Sequence, residues 1–235
     1  MPGETFSYNQ TVGERTISAG YKAAAAYAGG KVIQDVGGGI CQISSTLYNA
    51  VLLANLEITD RSNHCFETSY VPAGRDATVN WGTVDFQFKN NRKYPIKIET
   101  TAGGGIATAK IHGLKEENEY EVVIQSKVTS YISRTTRYKN DSTMDEGKEV
   151  IEDNGFDGCN SETYKILKLN GEVVSQTLIS RDSYDPMDRV IIRGTKKVVK
   201  PEQEVPVNKG NEEQEPTQEQ NQTENQEENN NKPNT

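Results

Sequence analysis

Histidine and cysteine are both scarce in this 235-residue chain: His64 and His112 stand beside Cys41, Cys65 and Cys159, with a single tryptophan. Three cysteines without CxxC spacing make no disulfide framework in a chain this long. With only two histidines they also give no basis for a structural zinc site, and nothing else points to a bound metal or organic cofactor. Long apolar runs are missing as well. No stretch approaches the roughly 18 residues of a membrane span, and Met1-Pro2-Gly3-Glu4 lacks the basic-then-apolar pattern of a signal peptide. The chain as read carries no export or anchoring signal, so it is either cytoplasmic or a piece whose upstream part supplied export.

Apolar residues make up 33% of the chain and are unevenly spread. Beyond Pro201 only Val205 and Val207 are branched and apolar, amid Glu, Gln, Asn, Thr and Pro. Such a segment cannot bury enough surface to offset the entropy of ordering it, which predicts a disordered acidic tail over 201–235. The tail holds nine Glu against Lys209 and Lys232, so 2 − 9 = −7 of the formal −8 resides there. The remainder is nearly neutral and without a Lys/Arg cluster, which argues against nucleic-acid binding.

Residues 21–28 are alanine-rich and predict a short helix stopped by Gly29-Gly30. After Gly37-Gly38-Gly39 the pattern changes. Ile43, Leu47, Ala50, Val51 and Ala54 recur at the spacing of one helical face, while Cys41, Ser44, Ser45 and Tyr48 share another. Leu52, Leu53 and Leu56 widen the apolar coverage, which predicts a largely buried helix. Strands are expected at 78–80, 84–89, 96–100 and 106–111, the last two joined through Gly103-Gly104-Gly105. An α+β domain over 1–116 follows, with one central helix packed on an antiparallel sheet. From 117 to 200 no helical period is visible. Strands at 120–124, 127–136, 163–169, 172–180 and 189–192, with turns such as Asn154-Gly155 and Asn170-Gly171, predict an elongated all-β domain short of a large core.

Pro2 to Asn9, the run Val36-Gly37-Gly38-Gly39-Ile40-Cys41-Gln42-Ile43-Ser44-Ser45-Thr46-Leu47-Tyr48-Asn49-Ala50, His64, the block Tyr70-Val71-Pro72-Ala73-Gly74-Arg75-Asp76-Ala77-Thr78-Val79, and Asp85-Phe86 with Lys89-Asn90-Asn91 together resemble the signature of VanW-like proteins. Downstream, Gly147, Gly155, Gly158, Gly171 and Gly194, with the closing run 190–196, resemble the five-glycine module of Gram-positive surface proteins. The resemblance implies an exported cell-envelope protein, of a family found near vancomycin-resistance genes, whose partner is peptidoglycan or another wall glycan. Family members have further residues of the same domain before Pro2, so the domain is expected to be N-terminally truncated here.

A cysteine opening a helix behind a glycine run has chemical meaning. Helix N-termini carry partial positive charge and free N–H groups, which lower a thiol's pKa and can hold an oxyanion. Cys41 is therefore the candidate nucleophile, His64 the candidate base, and Asp76 or Asp85 the group that would orient it. Gly37, Gly38 and Gly39 are binding candidates because they permit close approach of a ligand, and Arg75 is counted with them. Each has a plainer reading. Cys41 could be a small buried side chain, His64 a packing residue, Asp76 the holder of a turn or the partner of Arg75, and the glycines a tight turn. Ser44-Ser45-Thr46 suit local helix hydrogen bonds, and Cys65, Cys159 and His112 suit structural roles. The sequence thus favours a protein that binds or scaffolds the cell wall, with a cysteine-dependent acyl-transfer or hydrolase activity on wall peptides as the alternative.

Overall fold

The computed structural model describes residues 1–28 and 31–198, so the acidic tail expected to be disordered lies outside the described residues. Strand β1 (Thr5–Ser7) runs into a one-turn helix α1 (Tyr8–Val12), whose first turn is capped by Ser7 Oγ accepting from Gln10 N at 3.1 Å. The alanine-rich stretch then forms strand β2 (Ala23–Ala28), paired antiparallel with β3 (Lys31–Val36), and not the expected helix. Alanine's helix preference amounts to tenths of a kcal/mol per residue and cannot hold so short a helix alone, whereas the hairpin satisfies its backbone groups through β3.

Helix α2 (Ile40–Leu53) follows, and Leu53 at its end is exposed where burial was expected. Next come β4 (Glu57–Asp60), β5 (Gln87–Lys89), β6 (Lys97–Gly103) and β7 (Ile106–His112). They form small sheets: β1-β5-β4 is one, β6-β7 another. Around 78–84 the expected strands shrink to isolated bridges, Ser62 with Thr78 and Asn80 with Val84.

The α2 helix is buried on two faces. Leu47 and Val51 join the core along the side facing β7, while Ser44, Ser45 and Tyr48, on the Cys41 side, are also buried. The core they share contains Tyr8, Leu56, Ala77, Val79, Phe86 and Phe88, with Phe86 edge-on to Tyr48 at 5.6 Å. The serine hydroxyls are accommodated because Ser44 Oγ donates to Ala77 O at 2.6 Å and Ala77 N donates to Ser45 Oγ at 2.9 Å.

From residue 121 the described chain is strand and turn only: β8 (Glu121–Ile132), β9 (Thr136–Asp145), β10 (Glu149–Asp153), β11 (Gly158–Leu169), β12 (Glu172–Tyr184) and β13 (Arg189–Lys196). Strands β12-β11-β8 form an antiparallel sheet; β10-β13-β9 form a second, in which β13 and β9 run parallel. The expected 120–124 and 127–136 merge into the single strand β8. Strands β9 and β10, which had no apolar alternation to announce them, are mostly exposed. Apart from Val190 and Ile191 on β13, the buried apolar side chains here lie where this half meets the first: Cys159 and Tyr184 cluster with Ala73, and the partly buried Ile124 and Ile179 touch the first core. Residues 1–197 accordingly form one compact unit.

Phe86 is fully buried between Tyr48 and Phe88. Its replacement by alanine is expected to lower unfolding free energy by about 3–5 kcal/mol, from lost transfer energy plus the residual cavity. Urea unfolding of wild type and Phe86→Ala followed by circular dichroism checks this; a loss below about 1 kcal/mol would mean the core is not organised around this ring.

Candidate functional site

The loop before α2 is built by its glycines. A Cβ on Gly38 would lie 2.5 Å from Ala24 O, so strand β2 packs directly on the loop backbone, and Gly37 N donates to Lys22 O at 3.0 Å. Gly39 caps the helix in the left-handed region at φ 89°, with no side chain capping the first turn. Ile40 N donates to Gly37 O and Gln42 N to Gly39 O, while the N–H of Cys41 between them meets no acceptor among the described residues. Cys41 is half-buried, with its sulfur 3.5 Å from Val79 O.

His64 and Asp76 meet directly. The His64 Nδ1 lies 2.5 Å from Asp76 Oδ2, and the His64 backbone N–H donates to the same oxygen at 2.7 Å. Asp76 Oδ1 accepts from Tyr184 Oη at 2.5 Å and from Arg61 Nη2 at 3.1 Å, with the carboxylate only 1% exposed. Arg61 is itself held at three more points: its Nε donates to Asp76 O at 2.6 Å, its Nη1 to Asp182 Oδ1 at 2.5 Å, and its guanidinium lies over the Tyr48 ring. Because Nδ1 is engaged by the carboxylate, Nε2 is the ring nitrogen left free of it, and Tyr70 Oη approaches Nε2 at 3.3 Å.

The electrostatics follow from these contacts. Burial disfavours a thiolate at Cys41, but the influence of His64, the Val79 backbone and the positive charge of Arg15 outweigh it and lower the thiol below its ordinary value. Burial likewise opposes charge on His64, yet the hydrogen bond with Asp76 and the influence of Cys41 lift the imidazole from 6.5 to about 9. Asp76 is desolvated too, but donors from His64 and Tyr184 hold it below the usual carboxylate value. The geometry thus fixes an imidazole on a buried carboxylate, and the electrostatics draw the half-buried Cys41 thiol towards its charged form.

Of the two acids considered, Asp76 is the one at His64. Asp85 accepts from Ser7 Oγ at 2.5 Å and Asn9 N at 2.8 Å, so it secures the α1 turn and does not orient the histidine. The Asp76 partner is Arg61 and not the adjacent Arg75, whose Nε donates to Asn49 Oδ1 at 2.6 Å. His112 lies on β7 against Glu99, and Cys65 is exposed. Cys159 is buried beside Glu67, and burial raises its thiol to about 11. Arg61, Tyr70, Asp182 and Tyr184 were not legible beforehand, since no local pattern links a lone arginine to tyrosines nine and 123 residues away. Two clefts, of about 280 Å³ beside Ile43 and the β6-β7 hairpin and about 340 Å³ around Arg92 and Glu119, are lined by none of Cys41, His64 and Asp76. Among the described residues no group of three or more His, Cys, Asp and Glu is arranged to hold a metal ion, and no helix is long and apolar enough to cross a membrane.

Residues 1–112 match the family model described as VanW like protein, and residues 123–196 match that of the G5 domain. The chain is 53% identical over 105 residues to the uncharacterized protein YoaR of Bacillus subtilis (strain 168), across 45% of this chain and 35% of that protein. It is 33% identical over 105 residues to the vancomycin B-type resistance protein VanW of Enterococcus faecalis (strain ATCC 700802 / V583), across 43% of this chain and 38% of that one. The chain therefore spans little more than a third of the length of each. Among solved structures it is similar to the IgA1 protease G5 domain, at 24% identity and TM-score 0.25 over 34% of this chain and 98% of that one. A second, HP0197-G5, matches at 17% identity and TM-score 0.20 over 32% of this chain and 99% of that one.

The site makes a direct prediction for His64. With Asp76 ionised beside it, the ring is expected to keep its proton to about pH 9. In Asp76→Asn the main force opposing burial is gone, so the value is expected to fall to 6.5 or below, leaving the imidazole neutral at pH 7.5. Histidine-ring NMR resolves this, as His112 supplies the only other signal; a His64 titration unchanged by the substitution would break the assigned pair.

Proposed function

We propose that this chain, a VanW-like region over 1–112 followed by a G5 domain over 123–196, is a cell-wall-associated thiol enzyme that transfers or hydrolyses acyl groups of wall peptides. The observation that carries the reading is the His64 ring bonded through Nδ1 to the buried Asp76, with the Cys41 thiol at the N-terminus of α2 drawn below its ordinary value by the charge of that histidine. In this reading the Cys41 thiolate attacks the carbonyl carbon of an amide. The tetrahedral oxyanion forms beside the free N–H of Cys41 and the positive end of the helix. Collapse breaks the C–N bond as His64 gives its proton to the departing amine, leaving an acyl thioester on Cys41. Water or a second amine, deprotonated by His64, then attacks that thioester, releases the acid or the new amide, and returns the thiol.

The wall as the place of action is supported by the two family matches, and peptides of the wall as substrate by chemistry: a thiol with this partner order acts on acyl groups. A second reading, wall binding without catalysis, has in its favour the largely exposed faces of β8, β9 and β10. The two readings divide on Cys41.

In assays on purified peptidoglycan followed by mass spectrometry of the released peptides, Cys41→Ala is expected to lose activity by on the order of a thousandfold or more, and His64→Ala comparably. Retention of turnover by Cys41→Ala would sink the thiol mechanism. Sedimentation with intact wall by the same variant, without any turnover by wild type, would move the case to binding.

A further inference from the structure

The segments that carry His64 and Asp76 are gripped by strand β12 of the second half. Tyr184, fully buried at the end of β12, donates its hydroxyl to Asp76 Oδ1 and accepts from Gly74 N at 2.6 Å. Two residues earlier and on the same face of the strand, Asp182 receives Arg61 through Oδ1 and Ser180 Oγ through Oδ2 at 2.8 Å. The backbone joins in: Asp185 N donates to Cys65 O at 2.6 Å, and Asn63 Nδ2 to Ser183 O at 2.8 Å. On β11, Thr163 Oγ1 donates to Gly74 O at 3.2 Å, and a Cβ on Gly74, at φ 83°, would come 2.2 Å from that hydroxyl. The fit admits no side chain at 74, so the loop leading to Asp76 is shaped around the second half.

We propose that the G5 part of the chain completes the Cys41 site, with Tyr184 and Asp182 acting as positioning residues that hold the Asp76 carboxylate and Arg61 in the orientation His64 requires. The inference rests on the thiol-enzyme reading above for its consequence, but its geometry is independent of any substrate. Neither residue touches the thiol. Tyr184 occupies one oxygen of Asp76 so that the other stays on the imidazole, and Asp182 fixes the guanidinium that neutralises the buried carboxylate. The charged or titratable groups facing this carboxylate are His64, Arg61 and Tyr184, with Asp182 and Tyr48 on Arg61, and Cys41 and Tyr70 on the far side of the histidine. A module whose only role was attachment to the wall would have no reason to end a strand on this acid.

The test uses the full chain and two near-isosteric variants, Tyr184→Phe and Asp182→Asn. Two quantities are read: the pH profile of Cys41 alkylation by iodoacetamide, with exposed Cys65 as internal reference, and the His64 ring titration by NMR. In the variants the apparent thiol pKa is expected to rise, slowing Cys41 alkylation about tenfold at pH 6.5. His64 is expected to fall from about 9 towards 6.5, and Cys65 to react as before. Both profiles unchanged in folded variants would overturn the positioning role, whatever the change in melting temperature. If wild-type Cys41 titrates as an ordinary thiol near 8.5 while His64 still moves in the variants, the positioning role stands and the thiol-enzyme reading falls. Should Tyr184→Phe not fold, Asp182→Asn, which keeps side-chain shape, makes the same comparison.

Discussion

The Asp76 carboxylate is the constraint on which the rest of the molecule depends. A charge buried to 1% exposure costs several kcal/mol unless it is paired and hydrogen-bonded, and four donors converge on it. Two come from His64, one from Arg61 and one from Tyr184. These residues lie in two stretches of chain more than a hundred residues apart, so the acid is satisfied only when both halves of the described unit are docked. The same interaction that selects the histidine tautomer therefore also joins the VanW-like region to the strands that follow it.

The helix that presents Cys41 is tied to the same acid by polar contacts. Ser44 and Ser45 bond the backbone of Ala77, the residue after Asp76, and the Cys41 sulfur lies against Val79 two residues further. Each such bond contributes about 1 kcal/mol net, but leaving one of these buried groups unpaired costs about 1–3 kcal/mol, so the register between helix and segment is firmly specified. This explains why buried serines occupy the Cys41 face. They fix the helix against the segment that carries Asp76, while Leu47 and Val51 on the neighbouring face supply apolar packing. Two of the cysteines show how far environment outweighs identity: Cys41, under the influence of His64, is pulled towards thiolate, whereas Cys159, buried beside a carboxylate, is pushed away from it.

Much of the local order could be read from residue spacing. The α2 helix followed from the recurrence of Ile43, Leu47, Ala50 and Val51, and the β6-β7 hairpin from β-branched runs around three glycines. Other elements were hidden for physical reasons. The alanines of β2 favour a helix weakly, and pairing with β3 overrides that preference. Strands β9 and β10 expose most of their side chains, so no buried face imposes an alternation on their sequence.

The sequence by itself determined the candidates: one cysteine stands behind a glycine run and one histidine between helix and strands, which singled out Cys41 and His64 as candidate nucleophile and base. It could not decide between Asp76 and Asp85, nor find Arg61, Asp182 or Tyr184. Those roles were decided by the tertiary structure, because hydrogen-bond satisfaction of a buried charge is a long-range condition. Tyr184 lies 108 residues beyond Asp76, and nothing in the residues around either one records that they share a hydrogen bond.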